Sequence, residues 1–447
     1  PQHFKAHGYR ALAFGKIYHP AFPGFGIGSD LGDAPSWSEP AWLGGPRYYY
    51  SPRGIRLARE TYAAALLVGG SGPNWVAVAR AARAQALREG RSPGEPGPDD
   101  WTRVNVRVLA TEAPEVDDDE LYDGQVTLQA LAALRRWRET GREGEPFFLA
   151  VGYLKPHLPF VAPRRYWDLY DPARIEPSAV PDPPRGVPAA ALALPLDELR
   201  DTYPKDVAVP LPGVAENGAS EAYDLPRGPL TEAQQRQLRR GYYACVSYVD
   251  AQVGRLMAEL ERIGQAQNTI IVVVGDHGFS LGDHGLWGKQ TNFEEATRAP
   301  LIICPPGSET VGRPTEALVE LVDIYPTVCE LAGLPRPAHL EGRSLLPLWS
   351  DPRAEFKAAA VSQCPRPGLM GYSVRTDRYR LTRWQARDDP ERLAGLELYD
   401  HALDPGETAN LADRPEQAER VAELTRLLWT LVPAAAPRRF HSHDAGE

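Results

Sequence analysis

The stretch Thr269–Arg298, TIIVVVGDHGFSLGDHGLWGKQTNFEEATR, decides how the rest of the chain is read. It opens on an unbroken β-branched run, Thr269 to Val274, bounded by Asn268 and Gly275. Such a run predicts a strand buried on both faces of a parallel sheet. At its C-terminal end stand Gly275, Asp276, His277 and Gly278. In open α/β sheets, chemistry gathers just beyond the carboxyl ends of the strands. Asp276 offers a hard carboxylate oxygen and His277 an imidazole nitrogen, so a divalent cation could be held there, although two ligands do not close a site. The competing reading is an ordinary turn in which Asp276 bonds the backbone. After Gly282, Asp283, His284 and Gly285 comes Lys289, a single cation on a long stem in a Gly/Trp-rich loop. Metal ligands followed by a lysine point to a site for a tetrahedral oxyanion.

Two more apolar segments end in a lysine and a histidine. Ala11–Tyr18 reads as a short strand interrupted by Gly15 and Lys16, with His19 and Pro20 next. Pro146–Tyr153 reads as a second buried strand, delivering Lys155, Pro156 and His157. A lysine beside a histidine can hold an anionic oxygen and move a proton, although an exposed strand-end pair has the same spelling. Lysine usage supports the first reading. There are six lysines against 43 arginines, and Lys16, Lys155 and Lys289 are half of the six. A chain so biased to arginine keeps lysine where a compact charge must fit a tight pocket.

Between these segments the pattern is mixed. Residues 21 to about 114 read as loop-rich, with one helix near Trp75–Arg88. Trp37, Trp42, Trp75 and Tyr48–Tyr50 suit either stacking on sugar rings or filling gaps in loops, the second being the default. Asp117–Asp119 reads as a solvated helix start, and Asp123 as the N-cap of a helix from Gly124 to about Glu139. Pro163–Gly228, rich in proline and acid, reads as a long surface excursion. Leu230–Ile263 reads as a long helix with Tyr242, Cys245, Val246, Val249, Val253 and Leu256 toward the core. Pro300–Cys304 predicts a strand and Leu318–Leu331 a helix. A boundary is expected at Asp351–Ala354, followed by short strands at Ala358–Gln363, Gly371–Arg375, Tyr379–Trp384 and Glu397–Asp400, and a helix from about Pro415 to Leu431.

Composition narrows the class. With 447 residues the chain can bury a large core, and a hydrophobic fraction of 43% with 24% charged residues is ordinary for a globular protein. A formal net charge of −10 argues against a nucleic-acid surface. No apolar run approaches the ~20 residues of a membrane span. Cys245, Cys304, Cys329 and Cys364 show neither metal-ligand spacing nor a disulfide framework, and read as buried thiols.

Taken together these segments resemble the sulfatases of the alkaline phosphatase superfamily, and within them the iduronate-2-sulfatase-like branch. The resemblance is carried by GDHG and LGDHGLWGK within Ile270–Ile303, by GYRALAFGKIYHP (Gly8–Pro20), by FFLAVGYLKPHLPFVAP (Phe147–Pro163) and by ELYDHALDPGETANLA (Glu397–Ala412). It covers nearly the whole chain and is weakest in the middle loops. It implies an α/β fold, an alkaline-phosphatase-like sandwich with a large, mostly parallel sheet flanked by helices, plus a small C-terminal antiparallel sheet with a helix. Residues 1–350 would form the catalytic domain and 351–447 the C-terminal α+β subdomain.

The resemblance further implies hydrolysis of a sulfate monoester, on a small molecule or an oligosaccharide such as a glycosaminoglycan. Asp276 and His277 would be ligands of one calcium ion. Lys16 and Lys289 would hold the sulfuryl oxygens, with Lys155 bordering the same pocket. His157 would protonate the leaving alcohol, and His19 would act on the hydroxyl of a formylglycine nucleophile. That nucleophile, in a Cys/Ser-x-Pro-x-Arg segment, and a pair of metal-binding aspartates would stand ahead of Pro1. The chain therefore reads as lacking its first strand, and residues 1–447 alone are expected to turn over negligibly. Cys364-Pro365-Arg366 does not substitute, because its spacing is wrong. No signal-peptide pattern opens the sequence, although the family is periplasmic, secreted or lysosomal. Competing readings are a phosphodiesterase or phosphonate monoester hydrolase of the same superfamily, a non-catalytic glycan-binding remnant, and a generic α/β hydrolase-like domain.

Overall fold

The computed structural model describes residues 1–18, 33–44, 49–68, 108–141, 144–192, 199, 230–307 and 312–433. The chain divides into two compact units, residues 1–176 with 199–209 and 231–267, and residues 177–198 with 210–230 and 268–447.

In the first unit, helix α1 (Gln2–Ala6) leads into strand β1 (Arg10–Gly15). Helix α2 spans Pro52–Val68, where the sequence reads as loop. Pro52 suits the first turn, where its missing N–H has no partner to lose. The helix expected near Trp75–Arg88 lies outside the described residues. Helix α3 (Tyr122–Glu139) precedes strand β2 (Phe147–Gly152), and β2 pairs with β1 in parallel from Arg10↔Phe147 to Gly15↔Gly152. Parallel strands need a long crossover, and α3 lies within it. Its apolar face, Tyr122, Val126, Ala130 and Ala133, packs on Leu12 and Phe14 of β1.

Two glycines end this strand pair for a steric reason. A Cβ on Gly15, where φ is +80°, would stand 2.2 Å from the Gly152 carbonyl oxygen. A Cβ on Gly152 would stand 2.0 Å from the Lys16 carbonyl oxygen. Only glycine lets the two chains leave the sheet this closely, and the Lys16 amide then donates to Gly152 at 2.9 Å.

Helix α4 (Glu232–Arg262) opens with a capping box, Thr231 with Gln234. Its buried line matches the expected one only in part, at Cys245 and the half-buried Leu256. Val246 is 44% exposed, whereas Gly241, Ala244, Cys245, Tyr248, Gln252 and Glu259 are covered. Polar groups sit in this line because each finds a partner. The Tyr248 hydroxyl donates to the Asp118 carbonyl and accepts the Gly124 amide, and the Gln252 amide donates to the Asp118 carboxylate at 2.9 Å. Asp118 is accordingly buried rather than solvated. Tyr166 and Trp167 are also buried, so the segment after Pro163 is not surface throughout. Trp37 and Tyr49 are core residues, Tyr49 accepting the Val108 and Leu109 amides. They fill gaps and form no sugar platform.

In the second unit, strand β3 (Ile271–Val274) pairs with strand β4 (Leu301–Cys304), and the pairing is antiparallel. The β-branched run is a strand as expected, but its residues are only half-buried and Val274 is 44% exposed. Side-chain shape favours extended backbone without dictating the direction of the partner. Helix α5 (Ile324–Leu331) follows a single 3₁₀ turn, Leu321–Asp323.

The rest is a four-stranded antiparallel sheet of β5 (Ala360–Arg366), β6 (Leu369–Arg375), β7 (Tyr379–Ala386) and β8 (Leu393–Asp400), in the order β8-β7-β6-β5. Helix α6 (Ala418–Leu431) covers one face, with Leu424, Leu428 and Trp429 against Val374, Leu381 and Leu398. Alternate residues, Trp384 and Tyr399, point to the other face and pack on Leu286 and Phe293. All four cysteines are free thiols, with Cys304 half-buried and the other three buried.

Candidate active-site residues

The parallel pairing of β1 and β2 brings two of the sequence-predicted groups to one strand end. Lys16 directly follows β1, and the loop 153–159 follows β2. His19 lies outside the described residues. What holds the second loop is Asp123. Its carboxylate, 1% exposed, accepts the Leu154 amide on Oδ1 at 2.8 Å and the Lys155 amide on Oδ2 at 2.9 Å. Asp123 is therefore not the expected N-cap. Leu121 occupies that position, and Asp123 reaches from the first turn of α3 across to β2. Burial pushes its pKa up, opposed by the two amides and the charge of Lys155.

Within the loop, His157 donates its amide to the Leu154 carbonyl at 3.0 Å. Its Nδ1 lies 2.7 Å from the Leu158 carbonyl. A carbonyl only accepts, so Nδ1 carries a hydrogen, and the neutral ring keeps its lone pair on Nε2. Lys155 donates its ammonium to the carbonyls of His157 at 3.0 Å and Pro159 at 2.6 Å. That lysine thus braces the loop carrying His157, a role its position beside the strand did not reveal.

In the second unit, Asp276 and His277 follow β3. Gly275 is held by a 2.9 Å bond from its amide to the Pro300 carbonyl. Gly278 must be glycine, because a Cβ there would stand 1.8 Å from the Glu295 carbonyl oxygen. The Asp276 and His277 side chains are 71% and 37% exposed, and His277 Nε2 lies 3.5 Å from Asp276 Oδ1. His277 Nδ1 lies 2.7 Å from the Gly278 carbonyl, which again leaves the lone pair of the neutral ring on Nε2, beside the carboxylate. Lys289 is half-buried and follows the small ribbon in which Ser280–Leu281 pairs with Trp287–Gly288.

The same three letters, Asp-His-Gly, recur at 283–285 with a different fate. Asp283 accepts the Ser178 hydroxyl at 2.6 Å and the Leu281 amide at 3.1 Å. His284 is fully buried, its φ is +56°, and its amide donates to the Val180 carbonyl at 2.7 Å. Around it stand Glu295 and Glu407, each offering an oxygen within 4.8 Å of a His284 ring nitrogen. Burial, with Glu407, Asp283 and Glu294 nearby, pushes Glu295 up to about 7. Burial pushes His284 down. Sequence reading passed over this cluster, and only the repeated Asp-His-Gly hinted at it.

A family model described as Sulfatase matches residues 60–334, and one described as N-sulphoglucosamine sulphohydrolase, C-terminal, matches residues 282–433. Iduronate 2-sulfatase of Mus musculus is 30% identical over 484 residues, covering 92% of this chain and 75% of the mouse protein. Among solved structures, the phosphonate monoester hydrolase of Agrobacterium radiobacter superposes with a TM-score of 0.62 at 21% identity, covering 97% of this chain and 79% of that one, a likeness of fold. A protein solved in complex with its substrate D-glucosamine-2-N,6-O-disulfate gives a TM-score of 0.52 at 25% identity, covering 70% of each chain.

Proposed function

Because the chain belongs to the sulfatase family and is by that membership a sulfuric ester hydrolase, we propose that its substrate is a sulfate monoester on a carbohydrate, of the kind that iduronate 2-sulfatase acts on. The observation that carries this reading is the anchored His157, at the end of a parallel strand pair that also delivers Lys16. In this reading residues 1–350 make the catalytic domain and 351–447 its C-terminal subdomain.

The donor set at 276–277 fits calcium in part. A carboxylate oxygen and an imidazole nitrogen with its tautomer set by the Gly278 carbonyl can both ligate a cation, while a calcium ion asks for 6–8 ligands, more than this pair supplies. Asp276 and His277 would contribute two of them. When bound, the ion would neutralise sulfate oxygens as a Lewis acid and template.

The chain's own residues supply the rest. Lys16 and Lys289 would each offer an ammonium charge to a sulfuryl oxygen as it gains negative charge. His157 Nε2 carries the proton that the leaving alkoxide needs, the imidazolium holding both ring hydrogens with Nδ1–H kept on Leu158. Lys155 and Asp123 keep that imidazole in place through the loop backbone. His19 would serve the second half-reaction as a base.

Paired assays test the reading. The gene product should hydrolyse a sulfated uronic-acid disaccharide and an aryl sulfate in the presence of calcium. It should be far slower on an aryl phosphate diester. Faster diester hydrolysis would place it with the phosphonate monoester hydrolases, and glycan binding without turnover would make it a binding protein.

A further inference from the structure

We propose that His284, Glu295 and Glu407 form a second cation site, selective for a borderline divalent metal such as Zn²⁺, apart from the pair at Asp276 and His277. Three observations converge on it. First, one ligand atom from each residue lies within 4.8 Å of the others. Second, His284 is fully buried, and among the described residues neither ring nitrogen has a partner in good hydrogen-bond geometry. The Asp182 backbone is a hydrogen-bond partner of the ring, too loose in geometry to satisfy it. Glu295 Oε2 is likewise buried without a partner, 4.0 Å from His284 Nε2. Buried polar atoms are almost always paired, so two adjacent unpaired groups aimed at each other indicate something between them. Third, the neighbourhood carries surplus negative charge. Asp283, Glu294, Glu295 and Glu407 face the guanidiniums of Arg375 and Arg380, with a third, the exposed Arg298, 4.0 Å from Glu294.

The lone pairs are available. Glu407 Oε1 already accepts from Arg380 Nε at 2.6 Å and from His401 Nε2 at 2.8 Å, but among the described residues Oε2 accepts only the Glu294 amide, at 2.9 Å, and keeps one lone pair. A nitrogen and two carboxylate oxygens suit Zn²⁺ in tetrahedral coordination, with water in the fourth place. Ligand atoms around such an ion stand ~3.3 Å apart, so the His284–Glu295 pair, now 4.0 Å apart, would close by about 0.7 Å and the widest separation in the cluster, at most 4.8 Å, by up to about 1.5 Å. Calcium would need 6–8 oxygens, which this enclosed set does not supply. The consequence is structural. One ion would tie the Asp-His-Gly loop at 283–285 to the turn after β8 that carries Glu407.

The test uses the full chain, stripped with EDTA, incubated with Zn²⁺ and desalted, with metal counted by mass spectrometry. The wild type should retain about one equivalent and melt at higher temperature with zinc. Co²⁺ in its place should show the visible bands of a low-coordinate ion. Glu295→Gln, close in shape and size, should bind zinc at least about tenfold more weakly. Asp276→Asn should bind it as the wild type does. His284→Gln, checked for a cooperative melt, should repeat the loss. Zinc absent from folded wild type, or held equally by Glu295→Gln, would overturn the proposal, leaving a neutral imidazole beside a protonated carboxyl.

Discussion

Asp123 Oδ2 accepts the backbone amide of Lys155 at 2.9 Å, across thirty-two residues of sequence. The bond fastens the start of α3 to the loop that carries His157. A second bond, from the Leu154 amide, makes the carboxylate bidentate toward the loop backbone. Asp123→Ala should leave two amides without their acceptor, at about 1–3 kcal/mol each where they stay dry. Urea unfolding should show the loss, and kcat should fall more than KM rises, because the loop's geometry is degraded. Asp123→Asn, which keeps one acceptor, should fall between the two.

His157 as proton donor predicts a dependence on the leaving group. His157→Gln should slow a sugar sulfate by about 10²–10⁴. An aryl sulfate with an acidic phenol, which leaves without a proton, should be slowed much less. Equal slowing on both substrates would assign His157 to binding instead.

Lys289→Ala and Lys16→Ala should each cost about 10²–10³ in kcat, the usual toll of one preorganised donor. Arginine at either place should not restore the rate, since its planar fork is larger than an ammonium. Kinetics on the paired variants check both statements.

His277→Ala should weaken calcium activation by at least tenfold in a titration of activity against free calcium. Substitution at Gly278 should do more. Any Cβ there meets the Glu295 carbonyl, so Gly278→Ala should lower the melting temperature as well as calcium affinity.

The C-terminal sheet carries a pH dependence of its own. Glu397 is 2% exposed and accepts Trp384 Nε1 at 2.7 Å and the Tyr399 hydroxyl at 2.8 Å. Burial pushes it up to about 7, against the two hydrogen bonds. A carboxyl whose folded pKa is raised binds its proton more tightly when folded. Its contribution is full below the ordinary carboxylate range and is lost as pH rises through about 7. Melting temperature should therefore decline from pH 5 to pH 8, and Glu397→Gln should flatten that decline.

Much of this protein is written in its linear order. The apolar runs at 147–152, 271–274 and 301–304 are strands because β-branched and aromatic side chains suit extended backbone. The long helix up to Arg262 and the four C-terminal strands follow from their periods. The residue types near the strand ends, Lys16, Lys155, His157, Asp276, His277 and Lys289, are legible in the sequence as candidate donors and ligands. Tertiary structure alone decided which partner each met. It paired β3 antiparallel with β4, made Asp123 an anchor rather than a cap, and turned Lys155 onto its own loop. It also divided two identical tripeptides, leaving His277 open to solvent and enclosing His284 between Glu295 and Glu407. Local spelling sets backbone preference and donor type within a few residues. Burial and hydrogen-bond partners come from segments tens to over a hundred positions away, and only the folded chain brings those together.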